Sequence, residues 1–459
     1  MMNKQYNNLL LKKKTAIAQI NSLTGAIKQN AEHVEEYINL ALNKNIEVLI
    51  FPKNIILGIN AKDLYKNNEL IIQQKKIQNL LKSKYEQIEI IFDEQEFTDA
   101  KIINNPKRYS YGEFWTFSEY LKRQEGLIIN INPVGAFDER IYEGRSIASF
   151  NGKIVALGKF LEEDLIILNY EEDLKINPLS FEEETFKILS FGIKDYCRKT
   201  GFKKIVLGLS GGLDSAITAV LACDAIGANN VLGITMPSKY STEGSYNDSF
   251  KLAKNLGMVC IEKPIKSLYD EFIHSIQEDK TYNDLAEENI QPRIRALILM
   301  NYSNRGNRLL LSTGNKSECA MGYCTLYGDT CGGLNPIADV FKTDLYRISN
   351  WVNKNSGKEI IPDNILTKAP SAELKPNQKD EDSLPPYAVL DDVLRRYIED
   401  GQSYDDISKD YGTVLVSEII KKLNFNEFKR HQSTLFFEIS KKSLGTDRNY
   451  PIVCSKEVI

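Results

Sequence analysis

The chain has 459 residues, 42% of them apolar and 26% charged, with a formal net charge of −4. These proportions match soluble globular proteins, so disorder and fibrous repeats are excluded, and the mildly acidic balance argues against a sequence-independent nucleic-acid binder. At about 100 to 200 residues per domain the length predicts two domains, and seven cysteines are too few for a disulfide scaffold.

Met1–Lys14 is polar and basic, with no following apolar core of signal-peptide length, and apolar runs such as Val48–Phe51 are strand-sized. A cytoplasmic protein with no membrane span is expected. The apolar stretch Ala16–Ile20, a helical pattern over Ile27–Leu42 and the buried strand Val48–Phe51 predict a β-α-β opening. An amphipathic helix over Leu70–Leu81 follows, then strands at Ile88–Phe92, Leu127–Ile131, Ile154–Leu157 and Leu165–Leu168. The acidic stretch Glu171–Ser180, which contains proline, reads as a linker.

A second segment opens with a helix from Phe181 that Gly201 ends. A strand over Lys204–Leu209, a Ser/Gly-rich turn, a helix over Ala216–Cys223 and a strand at Val231–Thr235 come next. Helices around Phe250–Leu256 and Leu268–Ile276 continue the alternation. The pattern predicts an α/β fold, a doubly wound parallel sheet with helices on both faces.

The chemistry has few histidines to draw on: His33, His274 and His431 are all there are. Cys319, Cys324 and Cys331 cluster without the paired spacing of structural zinc and are expected to serve in packing. Catalysis is therefore expected from carboxylates, lysines and backbone amides.

The informative turn is Gly208-Leu209-Ser210-Gly211-Gly212-Leu213-Asp214-Ser215, between a buried strand and a helix. The glycines let backbone N–H groups approach an anion, the helix amino end adds positive dipole, and Ser210 and Ser215 add hydroxyl donors. The turn lacks the G-K-[ST] ending of a Walker loop, which argues against a kinase or motor ATPase. Asp214 offers a carboxylate for a magnesium ion on the phosphates. The alternative is a ligand-free glycine-rich turn.

The octamer resembles the PP-loop of the ATP pyrophosphatase superfamily. Further along come Ser312-Thr313-Gly314-Asn315-Lys316-Ser317-Glu318, Gly322–Asp329 and Gly332–Ile337. Glu288–Arg295 precedes them, and Pro370–Leu374 and Leu384–Tyr387 follow. Together these resemble the synthetase domain of glutamine-dependent NAD synthetases, from Phe181 to the carboxyl end. The resemblance implies a synthetase domain over 181–459. It would amidate nicotinic acid adenine dinucleotide (deamido-NAD) to NAD through an acyl adenylate, releasing AMP and pyrophosphate. It also implies that Gly208–Ser215, Thr313, Lys342 and Ser371 hold ATP, that Asp214 and Glu318 hold Mg2+ and act in catalysis, and that Asn289, Glu318 and Lys429 contact the dinucleotide. Lys429-Arg430 would add cationic contacts to the dinucleotide; the plainer reading makes that pair a solvated basic face and Asp214 and Glu318 helix caps. A homodimer or higher homo-oligomer is implied as well.

Residues 14–172 resemble a shortened nitrilase-like glutaminase domain, on Ala18–Asn21, Phe51-Pro52, Asn132–Glu139 and Phe160–Asp164. That family needs a Glu base, a supporting Lys and a Cys nucleophile. Here Lys53 stands after Phe51-Pro52 where the Glu is expected. Phe92 stands for the cysteine in Ile90–Glu94, and no cysteine precedes Cys197. The stretch that would carry the catalytic Lys is missing. The domain is therefore expected to be degenerate, with ammonia, free or from a separate glutaminase, as nitrogen donor. Other readings are another PP-loop amidotransferase and a non-catalytic nucleotide-binding regulator.

Overall fold

In the computed structural model, residues 9–92, 100–277 and 284–455 are described. They form two compact units, 1–179 and 180–459.

The first unit begins with α1 (Leu9–Lys12), β1 (Thr15–Gln19), α2 (Ile27–Asn43), β2 (Val48–Ile50), α3 (Asn68–Lys84) and β3 (Glu89–Ile91). It continues with β4 (Ala100–Ile103), α4 (Glu113–Leu121), β5 (Leu127–Asn130), β6 (Val134–Phe137), β7 (Arg140–Glu143), β8 (Ile147–Phe150), β9 (Lys153–Leu157) and β10 (Asp164–Ile167). One sheet runs β10-β1-β2-β3, with β1, β2 and β3 parallel and β10 antiparallel; a second runs β4-β5-β8-β9. The alternation of strand side chains accounts for the layering. Ala16, Ala18 and Leu49 face Val34, Ile38 and Ala41 of α2, while Ile17, Val48 and Ile50 pack against Ile102, Leu127 and Ile129 of the other sheet. That sheet's outer face, through Ile128, Ile147 and Ile154, is covered by Leu121 and by Phe114 and Phe117 of α4. The result is two sheets face to face with helices outside.

The second unit comprises α5 (Phe181–Thr200), β11 (Ile205–Gly208), α6 (Leu213–Ile226), β12 (Val231–Thr235), α7 (Glu243–Leu256), β13 (Val259–Glu262), α8 (Lys266–Gln277), α9 (Leu285–Gly306), β14 (Leu309–Leu311) and α10 (Lys316–Met321). The helices α11 (Lys342–Ser356), α12 (Asp363–Thr367), α13 (Tyr387–Leu394), α14 (Tyr404–Tyr411), α15 (Thr413–Phe425) and α16 (Glu427–Arg430) follow. All four strands are parallel, in the order β13-β12-β11-β14. Tyr269 and Ile273 of α8 and Ile290 and Ile294 of α9 cover one face through Val206, Leu232 and Ile234. A separate cluster joins α10, α13 and α15 through Ala320, Leu390, Ile419 and Leu423. Among the described residues no helix is long and apolar enough to cross a membrane.

Two expectations need correction. The helix placed over Ala216–Cys223 begins at Leu213, so Asp214 and Ser215 sit in its first turn. The strands β4, β6, β7 and β8 and the helix α4 were not anticipated. Each has only four residues, or in α4 a Gly112 start without a side-chain cap, and so carries little periodic signal. Asp93 and Glu94, read as the end of the strand stretch Ile90–Glu94, lie outside the described residues.

Candidate active site

The chain leaves β11, goes outward to β12 and β13, and returns through β14 on the other side of β11. The carboxyl ends of β11 and β14 therefore flank a topological switch point, where open parallel sheets form their ligand crevice. A cavity of about 760 Å³ opens there. It is lined by the loop after β11, by Ser312, Thr313 and Gly314 after β14, and by Ser371 and Asp380 from the segment after α12.

The β11 loop is shaped by its small residues. Leu209 N donates to Ile234 O at 2.9 Å, holding the loop's start to β12. The Ser210 and Ser215 hydroxyls lie 3.1 Å apart, Ser215 Oγ donates to Gly212 O at 3.0 Å, and Gly212 N donates to Ser210 Oγ at 3.2 Å. Gly211 turns with φ +74°, and a Cβ there would lie 2.2 Å from Ser245 O. Gly212, the residue before α6, makes no side-chain cap, so the first N–H groups of a 14-residue helix are left for an anion.

Three charged groups converge beside this loop. Lys342 Nζ lies 2.5 Å from Asp214 Oδ2 and 3.7 Å from Glu318 Oε1. Asn315 caps α10, accepting the Glu318 N–H at 2.9 Å, and Glu318 Oε2 accepts the Asn315 N–H in return at 3.2 Å. Glu318 thus both caps its helix and lines the cavity. Burial pushes the Glu318 carboxyl well above the carboxylate range, and Asp214 adds to the rise against the pull of Lys342. Burial alone would lower the Lys342 ammonium, but Asp214 and Glu318 raise it above its ordinary value. Asp380, buried and accepting the Tyr387 hydroxyl at 2.9 Å, is likewise raised by burial.

The other end of the cavity is polar. Asn289 Oδ1 accepts the Thr325 hydroxyl at 2.6 Å, and Asp329 Oδ1 accepts Thr325 N–H at 2.7 Å. Lys429 Nζ donates to Gly322 O at 2.7 Å and Cys324 O at 2.9 Å. The half-buried Arg295 donates through Nε to Met236 O at 3.1 Å, and burial lowers its guanidinium to about 10. Glu373, at φ +49°, accepts the Ser245 hydroxyl at 2.6 Å and the Thr242 hydroxyl at 3.1 Å, fixing the Ser371 loop to the start of α7.

Of the residues singled out from sequence, Gly208, Leu209, Ser210, Gly212, Leu213, Asp214, Ser215, Asn289, Thr313, Glu318, Lys342, Ser371 and Lys429 all line this cavity. Gly211 supports the loop from behind. Arg430 departs from expectation: its side chain is buried, donates to Cys319 O, Ala320 O and Leu423 O and pairs with Glu427, ending α10 and α15. Asp380 and Arg295 were missed. Asp380 lies in a charged run whose burial nothing local foretells, and Arg295 lies in a quoted motif without an assigned task.

In the first unit, Phe92 is 1% exposed and stacks on Phe51, centroids 5.3 Å apart. The Lys53 side chain is exposed, and its N–H donates to Asn104 Oδ1 at 2.7 Å.

Residues 186–433 match the NAD synthase family model. The chain is 40% identical over 364 residues to the glutamine-dependent NAD(+) synthetase of Thermotoga maritima, covering 70% of this chain and 63% of that one. To the glutamine-dependent NAD(+) synthetase of Acinetobacter baylyi it is 30% identical over 530 residues, covering 96% and 98%. The structure of the glutamine-dependent NAD+ synthetase of Acinetobacter baumannii in complex with ADP superposes with a TM-score of 0.72 at 27% identity, covering 96% of this chain and 98% of that one.

Proposed function

The chain belongs to the NAD synthase family, and on that premise we propose that it amidates deamido-NAD to NAD at the expense of ATP, in its 181–459 domain, with ammonia as the direct nitrogen donor. The observation that carries the reading is the convergence of the glycine loop, Asp214, Glu318 and Lys342 on one cavity at the switch point of the sheet. A nicotinate carboxylate is a poor acyl donor, because its leaving group would be oxide. Its oxygen attacks the α-phosphorus of ATP, the bond to the bridging oxygen breaks, and pyrophosphate leaves against the loop N–H groups and the end of α6. Ammonia then adds to the activated carbonyl, loses a proton, and AMP departs with the acyl oxygen.

This chain's groups chiefly bind and orient. Gly208–Ser215 and Thr313 would hold the phosphates, Lys342 would neutralise charge as pyrophosphate separates, Ser371 would close over the nucleotide, and Asn289 and Lys429 would meet the dinucleotide. Asp214 and Glu318 already converge on one cation, the Lys342 ammonium, and two carboxylates beside phosphate oxygens suit a hard divalent ion. Among the described residues no group of three or more His, Cys, Asp and Glu is arranged to hold a metal, so phosphate would complete the donor set. A magnesium ion held there would supply charge neutralisation on the phosphates.

The nitrogen donor follows from residues 14–172, within the first unit. The relatives named above are glutamine-dependent, yet here no cysteine precedes Cys197, and the position expected for the nucleophile holds Phe92, buried in an aromatic stack. A phenyl ring forms no thioester, so ammonia enters directly or from a separate glutaminase. The test is NAD formation by purified protein with ATP, magnesium and deamido-NAD, run with ammonium and with glutamine. Product from ammonium alone is expected; product from glutamine with glutamate release would overturn the donor assignment, and no product from either would overturn the synthetase reading. Sedimentation of the same sample reads the homodimer that belongs to this proposal.

A further inference from the structure

Asp391 lies on α13, outside the cavity, and is 2% exposed. Its Oδ1 accepts the Ser317 hydroxyl at 2.5 Å, and its Oδ2 accepts both the Thr343 N–H at 2.9 Å and the Thr343 hydroxyl at 2.8 Å. The Ser317 oxygen in turn accepts the Lys342 N–H at 3.0 Å. One buried carboxylate therefore joins the first turns of α10 and α11. Each joined residue adjoins a cavity residue: Ser317 precedes Glu318, and Thr343 follows Lys342. Phe341, the residue before α11, offers no side-chain cap, so Asp391 supplies from a third helix the negative charge that this helix start favours.

We propose that Asp391 is a positioning residue that fixes the spacing of Glu318 and Lys342 through the Ser317–Thr343 bridge, and so sets the affinity of the cavity for magnesium-bound ATP. The proposal rests on the reading of this cavity as an ATP site. A buried carboxylate with three donors holds two helix ends in one register. Helix caps act within one element. Here the link runs between two elements whose side chains meet at 3.7 Å, a distance that a small shift of either helix would change.

The experiment compares Ser317→Ala, Asp391→Asn and the double variant. Ser317→Ala is the gentle change, since alanine suits a first helical turn and leaves only a hydroxyl-sized gap. ATP binding is measured by titration calorimetry with and without magnesium, and kcat and KM for ATP and ammonium are measured beside it. Each single variant is expected to weaken magnesium-dependent ATP binding by roughly 10-fold or more, as small misplacements of positioned groups do, while KM for ammonium stays unchanged. The double variant should be no weaker than the weaker single one, because both cut the same bridge. Wild-type binding in a folded Ser317→Ala protein, or losses that add in the double variant, would overturn the proposal. Should Asp391→Asn fail to fold, Ser317→Ala decides alone. A wild-type protein that binds magnesium-bound ATP yet forms no NAD removes the synthetase reading only, and the binding comparison still judges the bridge.

Discussion

Replacing Gly211 by alanine separates the geometry of the phosphate loop from its chemistry. Its φ of +74° lies in the left-handed region, which costs an L-residue roughly 1–2 kcal/mol. The added Cβ would sit 2.2 Å from Ser245 O and 2.7 Å from that residue's carbonyl carbon and Cα. These are backbone atoms of the first turn of α7, so no rotamer change relieves the clash, and the loop or the helix must retreat by about 1 Å. A misplacement of that size beside reacting atoms costs on the order of 100-fold in rate. Gly211→Ala should therefore lose at least about 1–2 kcal/mol of stability and about 100-fold in kcat/KM for ATP. Gly212→Ala is the control: φ is −95°, and the nearest atom to its Cβ is Ser210 Oγ at 3.2 Å, the tip of a side chain rather than backbone. It should stay within a few-fold of wild type. The assay is NAD formation at saturating ammonium with ATP varied, alongside urea unfolding. Equal losses in the two variants would refute the claim that the α7 backbone dictates a glycine at 211.

Four further expectations concern charge, packing and side-chain chemistry. Glu318, raised by burial, keeps a proton in the folded state that the unfolded chain has shed, so the stability of the ligand-free protein falls as pH rises from the ordinary carboxylate range toward the folded value. Glu318→Gln should accordingly raise the melting temperature at neutral pH while NAD formation collapses; a lower melting temperature would contradict the argument. His33 lies 2.8 Å from Glu163 and 3.0 Å from Glu36 and is raised to about 9, first by the Glu163 hydrogen bond, with burial opposing. Its stabilisation is complete below the free value of 6.5 and lost as pH rises through about 9. The partly exposed carboxylates hold it to roughly 1 kcal/mol, and unfolding of His33→Gln between those pH values should show a flatter decline. Phe92→Ala should cost about 3–5 kcal/mol by opening a cavity against Phe51, read by denaturant unfolding of the first unit. Phe92→Cys should release no glutamate from glutamine, because Lys53 stands where a general base is needed.

Much of the alternation of strands and helices, and the motif residues Asp214 and Glu318, could be read in the sequence because each obeys a local rule. Val231–Thr235 is a short, largely apolar run, and Asp214 and Glu318 sit in first helical turns whose neighbours announce them. What stayed hidden depends on contacts distant along the chain. Arg430 looks like half of a basic pair, yet two of its partners are carbonyls more than a hundred residues earlier. Asp380 reads as part of a solvated acidic run until Tyr387 and Lys342 are folded over it. The start of α6 was placed late because the glycines before it suggest a longer loop, whereas Leu213 turns inward and is 3% exposed.

Lys316 has a bearing on the order in which a nascent chain can mature. It opens α10 and is fully buried, with Asp339 at 2.9 Å, Glu399 at 2.6 Å, Ser440 Oγ at 2.7 Å and Lys442 O at 3.0 Å. The Asp339 carboxylate also accepts the Ile439 and Ser440 N–H groups, each at 2.8 Å. A ribosome delivering this chain supplies the strands of the first unit once Ile167 has emerged, whereas in the second unit the Lys316 ammonium awaits the Ser440 and Lys442 acceptors, which are made more than a hundred residues later. Desolvating that ammonium before they arrive is costly. The helix that presents Glu318 can therefore take its final seat only when the 439–442 segment has been made, so a stalled or clipped product lacking that stretch would carry the whole phosphate loop and yet hold no finished cavity.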